Sequence, residues 1–366
     1  MPTNIVVSKW RSTICTFQQA LSAQRRLLTV PPTAEPKVLM PVFSHPDYTV
    51  ALPETHTFPM HRYESVYDAM LAYVNENVNS GIKILPSRLA DLEEICSVHC
   101  REYVHKFSKN QLSDMEMRKI GFPFSYDFVR RTYRITGGSL SALETILNKD
   151  NPMRVAGNLA GGTHHAFRDR GEGFCIFNDI AVCAHFALHN SYADLNNVNR
   201  VIVLDFDVHQ GNGTASILND DPASFTFSIH GDKNYPWKTR VLGDLDVGVE
   251  DDISEEKYLE TCANCLDTIN EKLLQMPFDY YENSSELEEL VIYQAGVDAL
   301  KSDRLGRLKM SREVLKQRNE MVYEWCKGRK SCGVLLTMGG GYSFPDISDS
   351  VEAHVDVFVQ ANDALN

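Results

Sequence analysis

Residues 201–209 read Val-Ile-Val-Leu-Asp-Phe-Asp-Val-His. Side chains on a β-strand alternate between faces, so such a run projects Asp205, Asp207 and His209 together, with Phe206 and Val208 opposite. The Val, Ile and Leu that precede them are typical of a strand buried on both faces of a parallel sheet. Carboxylates are costly in such a place unless something cationic offsets them. Oxygen and nitrogen donors of this kind suit a divalent ion such as Zn²⁺, and a site with few protein ligands leaves room for a reactive water. The same residues fit a second arrangement equally, in which the carboxylates bond to Lys, Arg or backbone N–H groups at the sheet edge.

Outward from this run, short apolar segments alternate with longer segments of helical period. Strands are expected at Arg154 to Leu159, Val201 to Val208, Ser224 to Ile229, Leu290 to Ala295 and Gly333 to Met338. Helices are expected at Tyr63 to Asn77, Leu140 to Asn148, Asp179 to His189, Glu255 to Leu274 and Arg312 to Lys327. The alternation implies an α/β fold, a mostly parallel sheet with helices on both faces. Ligands bind such sheets beyond the C-terminal ends of the strands. The candidate residues obey that rule: His164 and His165 follow one strand and Asp207 and His209 end the next. Asp298 follows Leu-Val-Ile-Tyr-Gln-Ala-Gly, and Tyr342 follows Leu-Leu-Thr-Met-Gly-Gly-Gly. Four strand ends thus converge on one pocket.

The whole chain, 366 residues with 36 basic and 49 acidic side chains, carries a net charge of -13. That balance argues against a broad electrostatic footprint on nucleic acid, although a small basic patch remains compatible with it. No apolar run reaches the roughly 18 to 20 residues that span a bilayer. Nine cysteines without a disulfide-framework spacing point to a reducing compartment. Cys262 and Cys265 form a C-x-x-C inside a helical segment and read as packing residues. Residues 1–35 contain Lys9, Arg11, Arg25 and Arg26, and the first acidic residue is Glu35. This leader fits an organelle transit peptide and, equally, an extension without targeting function. Import would place the protein in a mitochondrion or plastid; otherwise the cytoplasm or nucleus is expected. Residues 36–366 read as one catalytic domain, and the acidic stretch Tyr281 to Glu289 reads as a surface loop.

Six ordered fragments resemble the zinc-dependent histone deacetylases of the arginase/deacetylase superfamily. They are Gly-Gly-Thr-His-His-Ala (161–166), Gly-Glu-Gly-Phe-Cys-Ile-Phe-Asn-Asp (171–179), Asp-Phe-Asp-Val-His-Gln-Gly-Asn-Gly (205–213), Gly-Val-Asp (296–298), Asp-Arg-Leu-Gly (303–306) and Gly-Gly-Gly-Tyr (339–342). The Gln-Gly-Asn-Gly variant, with Ile-Gly-Phe-Pro-Phe-Ser at 120–125, looks most like the class IV branch and its bacterial relatives.

The resemblance implies a three-layer α/β/α domain with one catalytic Zn²⁺ held by Asp207, His209 and Asp298. It implies an acid–base pair, His164 contacting Asp205 and His165 contacting Asn212, a position where many members carry aspartate. A carboxylate favours imidazolium more than an amide does, so His164 is expected to protonate more readily and His165 to be the better base. Tyr342 would donate its hydroxyl to the developing oxyanion. Gly173 and Phe174 match the family's substrate channel, and Tyr235, from Asn-Tyr-Pro-Trp at 234–237, is expected on the opposite rim. A structural K⁺ would take oxygens from Asp205 and Ser228 and from the carbonyls of Asp207, His209 and Ile229. The implied reaction is removal of acetyl or longer acyl groups from lysine in proteins or peptides. Two alternatives stay open: hydrolysis of small acylated amines such as acetylpolyamines, and a non-catalytic module that binds acyl-lysine or assembles a corepressor.

Overall fold

Eight strands lie side by side in the order β2-β1-β3-β8-β7-β4-β5-β6, every neighbouring pair parallel. They are β1 (Met40–Ser44), β2 (Ile82–Pro86), β3 (Val155–Asn158), β4 (Arg200–Asp205), β5 (Ser224–Gly231), β6 (Leu245–Val249), β7 (Glu289–Gln294) and β8 (Cys332–Thr337). The computed structural model describes residues 39–150, 153–196, 198–276, 289–329 and 332–366. The basic leader and residues 281–288 of the acidic stretch lie outside them, and Glu289 opens β7.

Helices cover both faces. One group contains α1 (Arg62–Glu76), α8 (Glu255–Leu273), α9 (Arg312–Lys327) and α10 (Ser348–Leu365), packed in the order α1, α10, α9, α8. The other centres on α5 (Tyr126–Leu147) and α6 (Asp179–His189), with the shorter α2 (Leu92–Cys96), α3 (Arg101–Ser108), α4 (Asp114–Ile120) and α7 (Asn212–Leu218). Because helices cover both faces, the central strands are wholly buried, which is why β4, β7 and β8 read as apolar runs. Cys262 and Cys265 are buried on α8 as packing residues.

Register places one residue from each central strand in a single row: Ser228, Asp205, Gln294, Thr337 and Asn158, running from β5 through β4, β7 and β8 to β3. The chain leaves β3, jumps three places across the sheet to β4, runs outward to β6 and returns through β7 to β8. That reversal of direction is where open α/β sheets bind ligands.

The expected strand over Val201 to Val208 is shorter: β4 ends at Asp205. Phe206 N still donates to Gln294 O (3.1 Å), but beyond it the backbone turns onto its own carboxylates. Asp207 N donates to Asp205 Oδ1 (3.1 Å) and His209 N to Asp207 Oδ1 (3.0 Å). Successive Asx-type turns, not strand alternation, therefore gather the three side chains. The expected helix Leu140 to Asn148 is the last third of α5. Its earlier turns were obscured by buried Thr132, Thr136, Gly137, Gly138 and Ser139, which break the apolar period. At Gly138 a Cβ would stand 2.0 Å from the Tyr48 hydroxyl, so close packing against the loop after β1 sets that composition.

Candidate active site

Asp207, His209 and Asp298 are buried together, with one donor atom from each within 4.8 Å of the others. Asp207 and His209 come from the turns after β4, Asp298 from the loop after β7. His209 Nδ1 lies 2.9 Å from both Asp207 Oδ1 and Asp298 Oδ2. The remaining carboxylate oxygens are aimed by backbone: Asp298 Oδ1 accepts from Val208 N (2.8 Å) and Asp207 Oδ2 from Gly340 N (2.7 Å). Gln294 Nε2 also donates to Asp207 Oδ2, at 3.1 Å.

No Lys or Arg ion-pairs with either carboxylate among the described residues. Their charges are felt instead by one another and by His209. Burial and then the Asp207 charge push Asp298 up to about 7. Burial would lower His209, yet its hydrogen bonds to Asp207 and Asp298 carry it up to about 10. Two buried carboxylates and one imidazole form a donor set of the kind that holds a divalent metal. The set fits Zn²⁺ with three protein ligands.

Beside this cluster, His164 Nδ1 meets Asp205 Oδ2 at 2.6 Å and His165 Nδ1 meets Asn212 Oδ1 at 2.8 Å. Burial alone would lower His164, but the Asp205 and Asp207 charges outweigh it and its pKa is raised. Burial, then the charges of His164 and His209, hold His165 well below the usual histidine value. Asn212 Nδ2 donates to Glu172 Oε1 (2.8 Å) and Thr239 O (2.9 Å), both acceptors here. Its Oδ1 therefore accepts, which puts the proton of neutral His165 on Nδ1 and a lone pair on Nε2.

Tyr342, buried at the end of the glycine run after β8, has its N–H held by Asp303 Oδ2 at 2.5 Å. Burial raises its pKa well above the ordinary tyrosine value, so the hydroxyl keeps its proton. The Arg62 guanidinium sits 5.1 Å from the ring centroid and donates to Gly341 O (2.9 Å) and Gly339 O (3.1 Å). Arg62, Glu172 and Gln294 were not singled out in the sequence. Only Glu172 lay inside a recognised fragment, and nothing local marked the other two.

A cleft of about 460 Å³ opens above these groups, lined by Gly173, Phe174, Tyr235, His165, His209 and Tyr342 among others. Phe174 has φ 66, unusual for a side chain of its size, and Phe174 N is fixed by Ile120 O at 2.8 Å. The Tyr235 ring stands edge-on to His165, centroids 4.8 Å apart. Asp205 and Ser228, partners across β4 and β5, line a separate small cavity of about 10 Å³. Asp207, His209 and Ile229 are not on its wall.

The model of the histone deacetylase domain matches residues 56–358. The chain belongs to the histone deacetylase family. Among the relatives of this histone deacetylase-family hydrolase, an uncharacterized protein of Picosynechococcus sp. is 35% identical over 86% of this chain and 95% of its own length. Histone deacetylase 8 of Xenopus tropicalis is 25% identical over 84% of this chain and 81% of its own. Histone deacetylase 2 of Arabidopsis thaliana is 33% identical over 53% of this chain and 47% of its own. The fold is that of a histone deacetylase homologue solved with SAHA, at a TM-score of 0.68 and 21% identity over 90% of this chain and 86% of that one. No described helix is long and apolar enough to cross a membrane.

Proposed function

We propose that this family member is a zinc-dependent hydrolase that removes acetyl or longer acyl groups from the ε-amine of lysine in proteins or peptides, most akin to class IV. The reading is carried by one juxtaposition. His209 of the Asp207–His209–Asp298 donor set lines one cleft together with His165, whose Nδ1 side is fixed by Asn212, and with Tyr342, Phe174 and Tyr235. Zn²⁺ bound by those three residues would polarise the acyl carbonyl and acidify the attacking water.

His165 Nε2, kept basic-side out by Asn212 and Glu172, accepts the water's proton as its oxygen attacks the carbonyl carbon. The Tyr342 hydroxyl donates to the carbonyl oxygen as negative charge builds there. His164, whose pKa the Asp205 charge raises, supplies positive charge beside the reacting centre when protonated. The imidazole pair returns one proton to the amine nitrogen as the C–N bond breaks. The aromatic wall shields the apolar lysine stem from water. A monovalent cation such as K⁺ in the cavity between Asp205 and Ser228 would further offset the buried Asp205 charge.

The test is hydrolysis of lysine peptides carrying acetyl, octanoyl or myristoyl groups by Zn²⁺-loaded protein, with Asp298→Ala as the blank and N-acetylspermidine as competitor. Turnover confined to the intact triad and unaffected by acetylspermidine is expected. Cleavage of acetylspermidine alone would replace lysine by a small amine as substrate, and no cleavage at all would leave a binding module.

A further inference from the structure

The mouth of the cleft carries a charge that the chain as a whole does not. Arg118 and Lys119 at the end of α4, Lys233 in the loop after β5, and Arg304 and Arg307 after β7 all line it, and no carboxylate does. Only Arg307 has an acidic partner, Asp251 at 3.2 Å; the other four form no ion pair with a described residue.

The carboxylates nearest in sequence are committed elsewhere. Glu116 accepts from the N–H and hydroxyl of Ser113, capping α4. Asp232 faces Arg240 at 3.5 Å. Asp303 is spent on the N–H groups of Leu305, Gly306 and Tyr342. Glu172 is turned inward onto Asn212 and Thr239.

The backbone that carries three of these cations is tied down around the cleft. Gly173 N donates to Lys119 O (3.1 Å), joining the end of α4 to the channel wall, and Trp237 Nε1 donates to Lys233 O (3.1 Å). Arg304 N is bonded to Tyr342 O at 3.3 Å. Five cations on a chain of net charge -13 focus a positive field where substrate enters.

Resting on the lysine-deacylase reading, we propose that the preferred substrate is an acyl-lysine flanked closely in sequence by aspartate or glutamate. Acylated polyamines, themselves polycations, are repelled by the same rim.

The experiment compares three peptides sharing one acyl-lysine, with acidic, neutral or basic flanks. At about 0.01 M salt, where screening extends over about 30 Å, kcat/KM for the acidic peptide should exceed that for the basic one by about tenfold or more. The difference should lie in KM, since the rim does not touch the reacting atoms. It should fall away at about 1 M salt, where the screening length is about 3 Å. Lys233→Glu with Arg304→Glu leaves three cations against two carboxylates and should remove most of the preference between the peptides. Binding of the same peptides to Tyr342→Phe, read by fluorescence anisotropy in the first seconds after mixing, measures the rim while turnover is slow. Equal or basic-favouring kcat/KM and affinity would overturn the proposal. Acid-selective binding with no hydrolysis by the wild type would uphold the rim and refute the deacylase reading on which the substrate assignment stands.

Discussion

Gly340→Ala should abolish tight metal binding while leaving a folded protein. A Cβ at this position would stand 2.1 Å from Asp298 Oδ2 and 2.8 Å from Asp207 Oδ2. Non-bonded atoms settle at about 3.5 Å, so the nearer oxygen must retreat by more than about 1 Å. Metal sites hold their distances to about 0.2 Å, far less than this displacement. Gly340 is not among the glycines with positive φ, so alanine strains the carboxylates rather than the backbone. Losing a partner behind a metal ligand weakens affinity by about 10- to 100-fold, and here both carboxylates are pushed directly, so about 100-fold or more is expected. Zinc affinity is measured by competition with a chromogenic chelator. Urea unfolding of the metal-free variant should show about 1–3 kcal/mol lost to overpacking. A folded Gly340→Ala that binds zinc as tightly as the wild type would refute the placement of the metal between these carboxylates.

Tyr342→Phe keeps the ring and removes the donor, and turnover should fall by about 100-fold or more with little change in KM; a loss under about tenfold would remove the hydroxyl from the mechanism. His165→Ala should nearly abolish turnover, whereas a variant that kept most of it while His164→Ala lost it would reverse the assignment of the base. Acid stability tests His99, whose Nε2 accepts from Asn178 N at 2.9 Å and which burial pushes down to about 4 from 6.5. Unfolding lets it protonate, so the cost is nil above about pH 6.5, grows as pH falls toward 4 and is about 2 kcal/mol at pH 5. His99→Gln should therefore lose less stability than the wild type between pH 7 and pH 5 in urea titrations, and an equal loss would exclude His99 as a source.

The central strands were legible because burial on both faces leaves only apolar side chains, as in Val201 to Leu204 and Leu290 to Ile292. The outer strands were not. β2 and β6, at the sheet's edges, are mostly half-buried or exposed, and Lys83, Asp246 and Gly248 break any apolar run. Helix α4 has a capping box at Ser113 and Glu116 and a Gly121 C-cap, but its Asp114 to Lys119, mostly exposed, lack an apolar stripe. The site residues named from the fragments do converge, yet the reason at Asp207 and His209 is turn chemistry that a strand period conceals. Arg62 escaped notice because its partners, Gly339 and Gly341, lie more than 270 residues away and are backbone oxygens that no spacing reveals. The basic mouth escaped for a related reason: one helix end and two separate loops supply it, and the overall negative charge hides it.

The strand order carries a consequence for how this protein is made. β8, the last of the described strands to be synthesised, is not at an edge but in the middle, between β3 and β7. Until it emerges, β1 to β3 and β4 to β7 are two half-sheets with no hydrogen-bonded strand to join them, each presenting a raw inner edge of the kind that invites aggregation. Gly340 and Tyr342 arrive on the same late segment. Closing the seam and bringing Gly340 and Tyr342 to the site are therefore one event, and a nascent chain keeps both raw edges until the segment that opens with β8 at Cys332 has taken its place.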